Sequence, residues 1–446
     1  MHSAGAESMS NQFGLGMIRI VLVNVIMLLF IMGCASIDPL SGNEKLDYKS
    51  RATTTSEGGV HVSTSVLSAN ESLVLYGVPL AMKGIQPVWV KVENNNDIAY
   101  WLMSIGLDPN FFLTSEAVQA FTTDIHTESS NALKQHVESL AFRNPIPPNK
   151  TISGFILTQL DEGVKMVHVD LVASGHHKSF SNFTLIPGFP SDFEARKHVI
   201  DDLYADNEII NYTDDELFRA ALAALPCCVT NKKGTKKGDP LNLVIVGGKD
   251  DAIAALVRRG WRPTEQTWYG SVLKMVNSAL SAERYPYAPI SPLYLYGRSQ
   301  DLALQKARDN IHQRNHLRLW LSPMRYHGRP VLVGQISRDI GTRFTFHSPY
   351  LTTPKIDPDV DEARTALQED MVYSQSLAKL GLVKGVAAAP KHAPRHNLTK
   401  DPYYTDGFRA VLIFDDHTTA MTDIRFLPWE GRSGGFIEYL TRHEQP

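Results

Sequence analysis

The sequence predicts a multidomain α+β protein: an N-terminal β-sandwich followed by a C-terminal α+β domain with a mixed sheet. Three observations carry this. A chain of 446 residues exceeds what one hydrophobic core fills, at about 100–200 residues per domain. Residues 58–190 contain about seven short runs in which apolar and polar side chains alternate between turn-rich breaks, the pattern of a sandwich. From residue 241 an all-apolar strand, a Gly247-Gly248 turn and a helix over 250–259 stopped by Gly260 form a βα unit, which later alternating strands extend.

The expected segments are 1–34 as a lipoprotein signal peptide, 35–57 as a tether and 58–190 as the sandwich. They continue with 191–238 as a helical connector and basic loop, 239–414 as the C-terminal domain and 415–446 as a tail. Composition is that of a globular protein, 43% hydrophobic and 20% charged. A formal net charge of -3 gives no electrostatic case for nucleic acid as a partner.

Residues 21–32 are almost wholly apolar, preceded by Arg19 and followed by Gly33 and Cys34. Such a run is short of the ~20 residues that span a bilayer as a helix but suits a signal-peptide core. Ile31-Met32-Gly33-Cys34 resembles the lipobox of bacterial lipoproteins, which implies that Cys34 is lipidated and becomes the first mature residue. Met17-Ile-Arg makes a conventional start for such a peptide. By the same resemblance, Ala35 after the cysteine points to the outer membrane rather than the inner, with the protein facing the periplasm or cell surface. The membrane is then a partner through the lipid anchor.

The other cysteines are the neighbours Cys227 and Cys228. Bridging adjacent residues strains the backbone, so they are expected to be small buried residues, without a disulfide framework.

In the sandwich segment Val88, Val90 and Val92 alternate with Trp89, Lys91 and Glu93, and Val167, Val169 and Leu171 alternate with His168 and Asp170. One face of such a run is buried and the other wet. Further strands are expected near 61–68, 72–79, 99–105, 152–160 and 180–186, with a helical insert from about 115. His176-His177 sits in a hairpin tip, where two histidines ordinarily face solvent. In the connector, Thr213-Asp214-Asp215-Glu216 ahead of Leu217 and Phe218 marks a helix start, and Lys232, Lys233, Lys236 and Lys237 mark an exposed basic loop.

Six ordered motifs follow. They begin at Leu241-Asn-Leu-Val-Ile-Val-Gly247, Leu293-Tyr-Leu-Tyr-Gly-Arg-Ser-Gln-Asp-Leu-Ala-Leu-Gln-Lys-Ala307 and His316-Leu-Arg-Leu-Trp320. They continue with Val333-Gly-Gln-Ile-Ser-Arg-Asp-Ile-Gly341, Ile356-Asp-Pro-Asp-Val-Asp-Glu-Ala-Arg364 and Thr405-Asp-Gly-Phe-Arg-Ala410. Together they resemble the LssY C-terminal domain family over about 239–414. The resemblance implies little about chemistry. Its members also occur joined to membrane segments similar to lipid-phosphate phosphatases, which implies work on envelope lipids or phosphoesters.

The residues of this stretch have their own reading. The helix after Gly247-Gly248 opens with Lys249-Asp250-Asp251, whose carboxylates occupy the amides that would otherwise cradle a phosphate. Residues 315–321 and 331–339 alternate, and a hairpin centred near Tyr326-His327 sets His316 near Ser337 and Arg318 near Gln335. His316, Arg318, Ser337 and Asp339 are therefore the catalytic candidates on one sheet face. A hydrogen-bonded polar face closing against a helix has the same pattern.

Asp357, Asp359 and Asp361 lie at i, i+2 and i+4 and, with His347 upstream and Asp406 downstream, are the candidate ligands for a divalent metal. Glu362 stands where a calcium loop needs glycine. Capping of the helix that follows is the simpler account of these carboxylates. No nucleophile motif is present. Two function classes follow: a hydrolase acting on phosphorylated or esterified envelope lipids, or a non-catalytic binding or scaffold lipoprotein with an envelope protein as partner.

Overall fold

The computed structural model describes residues 46–122, 127–161, 163–188, 203–264, 292–307, 314–344 and 352–430. Seven strands build the N-terminal sandwich: β1 (Thr53–Glu57), β2 (Val60–Val66), β3 (Ile85–Asn94), β4 (Trp101–Met103), β5 (Lys150–Gln159), β6 (Val164–Ala173) and β7 (His176–Leu185). They form a four-stranded sheet, β1-β2-β3-β5, and a three-stranded one, β4-β6-β7. The alternating valines decide the packing, because Val88, Val90 and Val92 meet Val167, Val169 and Leu171 in one buried core.

Two expectations change here. The 72–79 stretch forms helix α1 (Ala69–Tyr76) instead of a strand, since Ser68 and Glu71 close a capping box at its start and Gly77 ends it in the left-handed conformation. Strand β1 lies inside the stretch expected as tether, paired to β2 from Thr53 onward. The expected helical insert is present as α2 (Thr114–Thr122) and α3 (Thr127–Leu140).

The C-terminal region is a ten-stranded mixed sheet. Its strands are β8 (Ile210–Tyr212), β11 (Leu243–Val246), β12 (Arg262–Pro263), β15 (Leu302–Ala307), β16 (Arg314–Tyr326), β17 (Arg329–Phe344), β18 (Thr352–Ile356), β19 (Leu377–Lys384), β22 (Phe408–Phe414) and β23 (Arg425–Phe426). Most neighbours are antiparallel, while β11 runs parallel to β22, β8 to β16 and β23 to β19. Thus the sheet takes a strand from the stretch expected as connector and another from the stretch expected as tail. Smaller pairings are β9 (Cys228–Thr230) with β10 (Lys237–Pro240), β13 (Tyr294–Leu295) with β14 (Arg298–Ser299), and β20 (Arg395–His396) with β21 (Pro402–Tyr403).

Among the described residues, three helices flank the sheet: α4 (Asp215–Ala223), α5 (Ala254–Arg258), entered through a π-helical turn at Lys249–Ile253, and α6 (Val360–Val372). Period-two alternation sorts the side chains. Leu243, Ile245, Leu317, Leu319, Ile336 and Leu412 pack with α5 and α6, whereas Val244, Val246, Trp320, Val333 and Val411 pack with Phe218 and Leu222 of α4.

Buried charges join sandwich and sheet. Arg262 bridges Asp108 at 2.5 Å and Asp161 at 3.2 Å, and Lys165 reaches Asp161 at 2.5 Å. Ionic groups this deep persist because each is paired.

Candidate functional site

The β16–β17 hairpin sets His316 opposite Ser337, Arg318 opposite Gln335 and Arg314 opposite Asp339, while Gln305 of β15 lies opposite His316 on its other side. The pairing anticipated from alternation holds. These side chains continue the face that begins with Trp320 and Val333, so an apolar half-face gives way to a polar one. The whole set is buried.

His316 Nε2 meets Asp339 Oδ2 at 2.6 Å, with an Arg314 nitrogen 3.5 Å from the same oxygen. Arg314 also donates to Gln305 Oε1 at 3.4 Å, and Arg318 donates to Gln335 Oε1 at 2.7 Å. Among the described residues, buried His316 Nδ1 and Gln335 Nε2 have no hydrogen-bond partner. An unmet buried polar atom costs about 1–3 kcal/mol, so its persistence asks for an explanation.

The electrostatics assign the protons. Burial holds His316 below the ordinary histidine range, with Asp339 opposing. Burial pushes Asp339 up, but His316, Arg314 and Arg318 outweigh it and hold the carboxyl below its usual range. A neutral imidazole beside a carboxylate must donate from Nε2, which leaves Nδ1 as a bare lone pair inside the protein. Burial lowers Arg318 to about 10 while Asp239 and Asp339 counter it. Asp239, which accepts from Asn397 Nδ2 at 3.1 Å, is raised by burial against the pull of Arg318.

Ser337 is buried opposite His316, yet among the described residues no hydrogen bond joins its hydroxyl to the imidazole. A serine nucleophile activated by His316 is not assembled. Arg314, Gln305 and Asp239 belong to this face and were not read from sequence. For Arg314 and Gln305 the signal was the alternation continued one step along β16 and onto its neighbour; for Asp239 there was none, since only the fold brings β10 near Arg318.

The acidic helix start is organised differently. Asp357 accepts from the Asp359 amide at 3.0 Å, and Asp359, the N-cap of α6, accepts from the Asp361 amide at 3.2 Å. Asp361 accepts from Thr405 Oγ1 at 2.8 Å and the Asp406 amide at 2.7 Å. Arg364 grips Asp406 through two nitrogens at 2.9 and 2.7 Å and lies 3.3 Å from Asp361. These carboxylates cap a helix and tie it to the 405–408 loop. The helix itself packs through Ala363, Leu367 and Met371 on the sheet face opposite to His316. His347 and Cys34 lie outside the described residues. Among the described residues, the carboxylates and imidazole close enough to share an ion are Asp415, Asp416 and His417, an exposed group that Arg329 already pairs at 3.1 and 3.3 Å.

A Ser-His-Asp chain exists in the sandwich. Ser181 Oγ lies 2.8 Å from His168 Nδ1, and His168 Nε2 lies 3.0 Å from Asp170. Asp170 also meets His177 at 2.9 Å and Arg258 of α5 at 3.4 Å. Ser181 and His168 are completely buried, and through Asp170 this chain couples the sandwich to α5. Gly106 packs on it so closely that a Cβ would stand 2.6 Å from the Asp170 carboxylate.

Fold and site together define an α+β protein with a mixed sheet that carries a buried polar face. Residues 220–408 match the family described as LssY C-terminus, and this part of the chain is an LssY C-terminal domain. The match opens within α4 and closes at the start of β22, so it includes both the His316 face and the acidic helix start. No curated protein and no solved structure matches the chain.

Proposed function

We propose that this chain is a cell-envelope lipoprotein, lipid-anchored through Cys34 and directed to the outer membrane by Ala35, whose C-terminal domain hydrolyses phosphorylated or esterified envelope lipids. The observation that carries the enzymatic reading is the unpartnered Nδ1 of buried His316, whose other nitrogen is committed to Asp339. That is the arrangement of a general base. Nδ1 takes a proton from water as the water oxygen bonds to phosphorus or the acyl carbon. The ester oxygen then leaves as an alcohol, taking the proton back from the imidazolium. Arg314 and Arg318 offset the negative charge that builds up, and Gln335 Nε2 is a donor in want of an acceptor.

Two features support the envelope reading. The apolar stretch ahead of Cys34 has signal-peptide length, and the bond between Cys227 and Cys228 suits an oxidising compartment. Among the described residues no helix is long and apolar enough to cross a membrane.

The test is turnover of phosphomonoester, phosphodiester and acyl-ester lipids in micelles by the full chain, compared with His316→Gln and Asp339→Asn. A loss of about a hundredfold or more in folded variants is expected. Equal turnover in folded variants, or none by the wild type, rejects the reading. The scaffold alternative draws on the acidic helix start, whose carboxylates serve the fold; it predicts capture of an envelope protein that the same variants leave intact.

A further inference from the structure

The expectation that Cys227 and Cys228 are merely small buried residues is overturned, because their sulfurs are bonded. A disulfide stabilises a fold chiefly through the size of the loop it closes. This one closes no loop between distant residues, so its effect is local.

Its surroundings state what that effect is. Cys227 ends the turn after α4, and Cys228 begins β9. The carbonyl of Cys227 accepts the Leu241 amide at 2.9 Å. Just upstream, the carbonyls of Leu222, Leu225 and Pro226 all accept from the wholly buried guanidinium of Arg409, which also donates to Leu241 O at 2.8 Å. The next residue, Asn242, holds β17 at the backbone of Ile336 through bonds of 3.0 and 3.2 Å, between Gln335 and Ser337. The turn is therefore fastened to the strands that frame the sheet.

We propose that Cys227-Cys228 is a thiol–disulfide exchange site whose redox state sets how firmly the 225–228 turn is held against Leu241 and Arg409. The two sulfurs differ in access, since Cys227 is half-buried and Cys228 is buried to 5% exposure. A thiolate of an external dithiol attacks the Cys227 sulfur. The S–S bond breaks with its electron pair leaving on Cys228, which takes up a proton. The second thiol of the reagent then displaces Cys227 from the mixed disulfide. The dithiol ends as its own disulfide, and both cysteines end as thiols after gaining two electrons and two protons.

The experiment uses the purified full chain, so it stands apart from the question of cellular address and from any hydrolytic activity. The protein is treated with oxidised glutathione or with dithiothreitol, and the peptide from Ala220 to Lys232 is weighed with and without alkylation. Amide hydrogen exchange is followed in both states. The oxidised peptide should be two hydrogens lighter and refuse alkylation. Reduction should speed exchange at the Leu241 amide about tenfold or more while the β16–β17 amides stay unchanged, and reoxidation should restore protection. A Cys227→Ser, Cys228→Ser variant should exchange like the reduced protein and ignore dithiothreitol. Two alkylatable thiols after oxidation, or equal Leu241 exchange in both states, would overturn the proposal.

Discussion

His316 donates a hydrogen bond from Nε2 to Asp339 across 2.6 Å, and its buried Nδ1 has no partner among the described residues. A neutral buried histidine makes stability depend on pH in a definite direction. Its folded pKa lies below the unfolded one, so the unfolded chain takes up the proton first as pH falls. This contribution is complete above the unfolded value of about 6.5 and declines below it. Asp339, held below its usual range, adds a second loss under about pH 4. The melting temperature should therefore drop between about pH 7.5 and 5.5, and His316→Gln should flatten that slope. Thermal melts at the two pH values decide it; an unchanged slope in the variant contradicts the assignment.

Removing one partner of a buried pair leaves the other charged and unmet. Asp339→Asn removes the carboxylate that His316 and Arg314 share and should cost about 3–5 kcal/mol, measured by chemical denaturation. A cost below about 1 kcal/mol would mean that the pair is open to water.

Arg364 grips Asp406 while Asp359 only caps α6. Arg364→Met should cost about 3–5 kcal/mol, and Asp359→Ala about 1 kcal/mol. Calcium or magnesium should leave the melting temperature of both variants and the wild type unchanged. A rise in the wild type that Asp359→Ala abolishes would make the helix start an ion site instead.

Arg409 has no described carboxylate partner and is satisfied by main-chain carbonyls, including those at the end of α4. Only a planar fork reaches several acceptors at once, so Arg409→Lys should behave as a severe substitution, costing about 3 kcal/mol. Denaturation of the variant, with α4 amide exchange as a local readout, tests this; near wild-type stability would show that a single ammonium suffices.

Arg262 reaches from the sheet to Asp108 and Asp161 of the sandwich region. Arg262→Met should destabilise by about 3–5 kcal/mol and increase exchange in β6 of the sandwich and β15 of the sheet together. Loss confined to one of the two regions would mean that they melt independently.

Much of the fold was legible because burial imposes a period on the sequence. Val88–Val92 and Val167–Leu171 alternate in the chain as they do across the sandwich, and the same rule places His316 opposite Ser337 and Arg318 opposite Gln335. The 72–79 stretch departs from the expected strand because its valines and leucines suit a strand as well as a helix, and the Ser68–Glu71 capping box outweighs them.

What the sequence by itself determined was local: the strands, the helix starts, the hairpin register and the membership of residues 220–408 in their family. Which atoms of the polar face lack partners, that Asp239 comes near Arg318, that the acidic helix start spends its carboxylates on Thr405, Asp406 and Arg364, and that Cys227 bonds its neighbour were decided by tertiary structure alone. The physical reason is range. Alternation and capping act within a few residues, whereas hydrogen-bond satisfaction and charge pairing belong to groups that only the closed fold brings together.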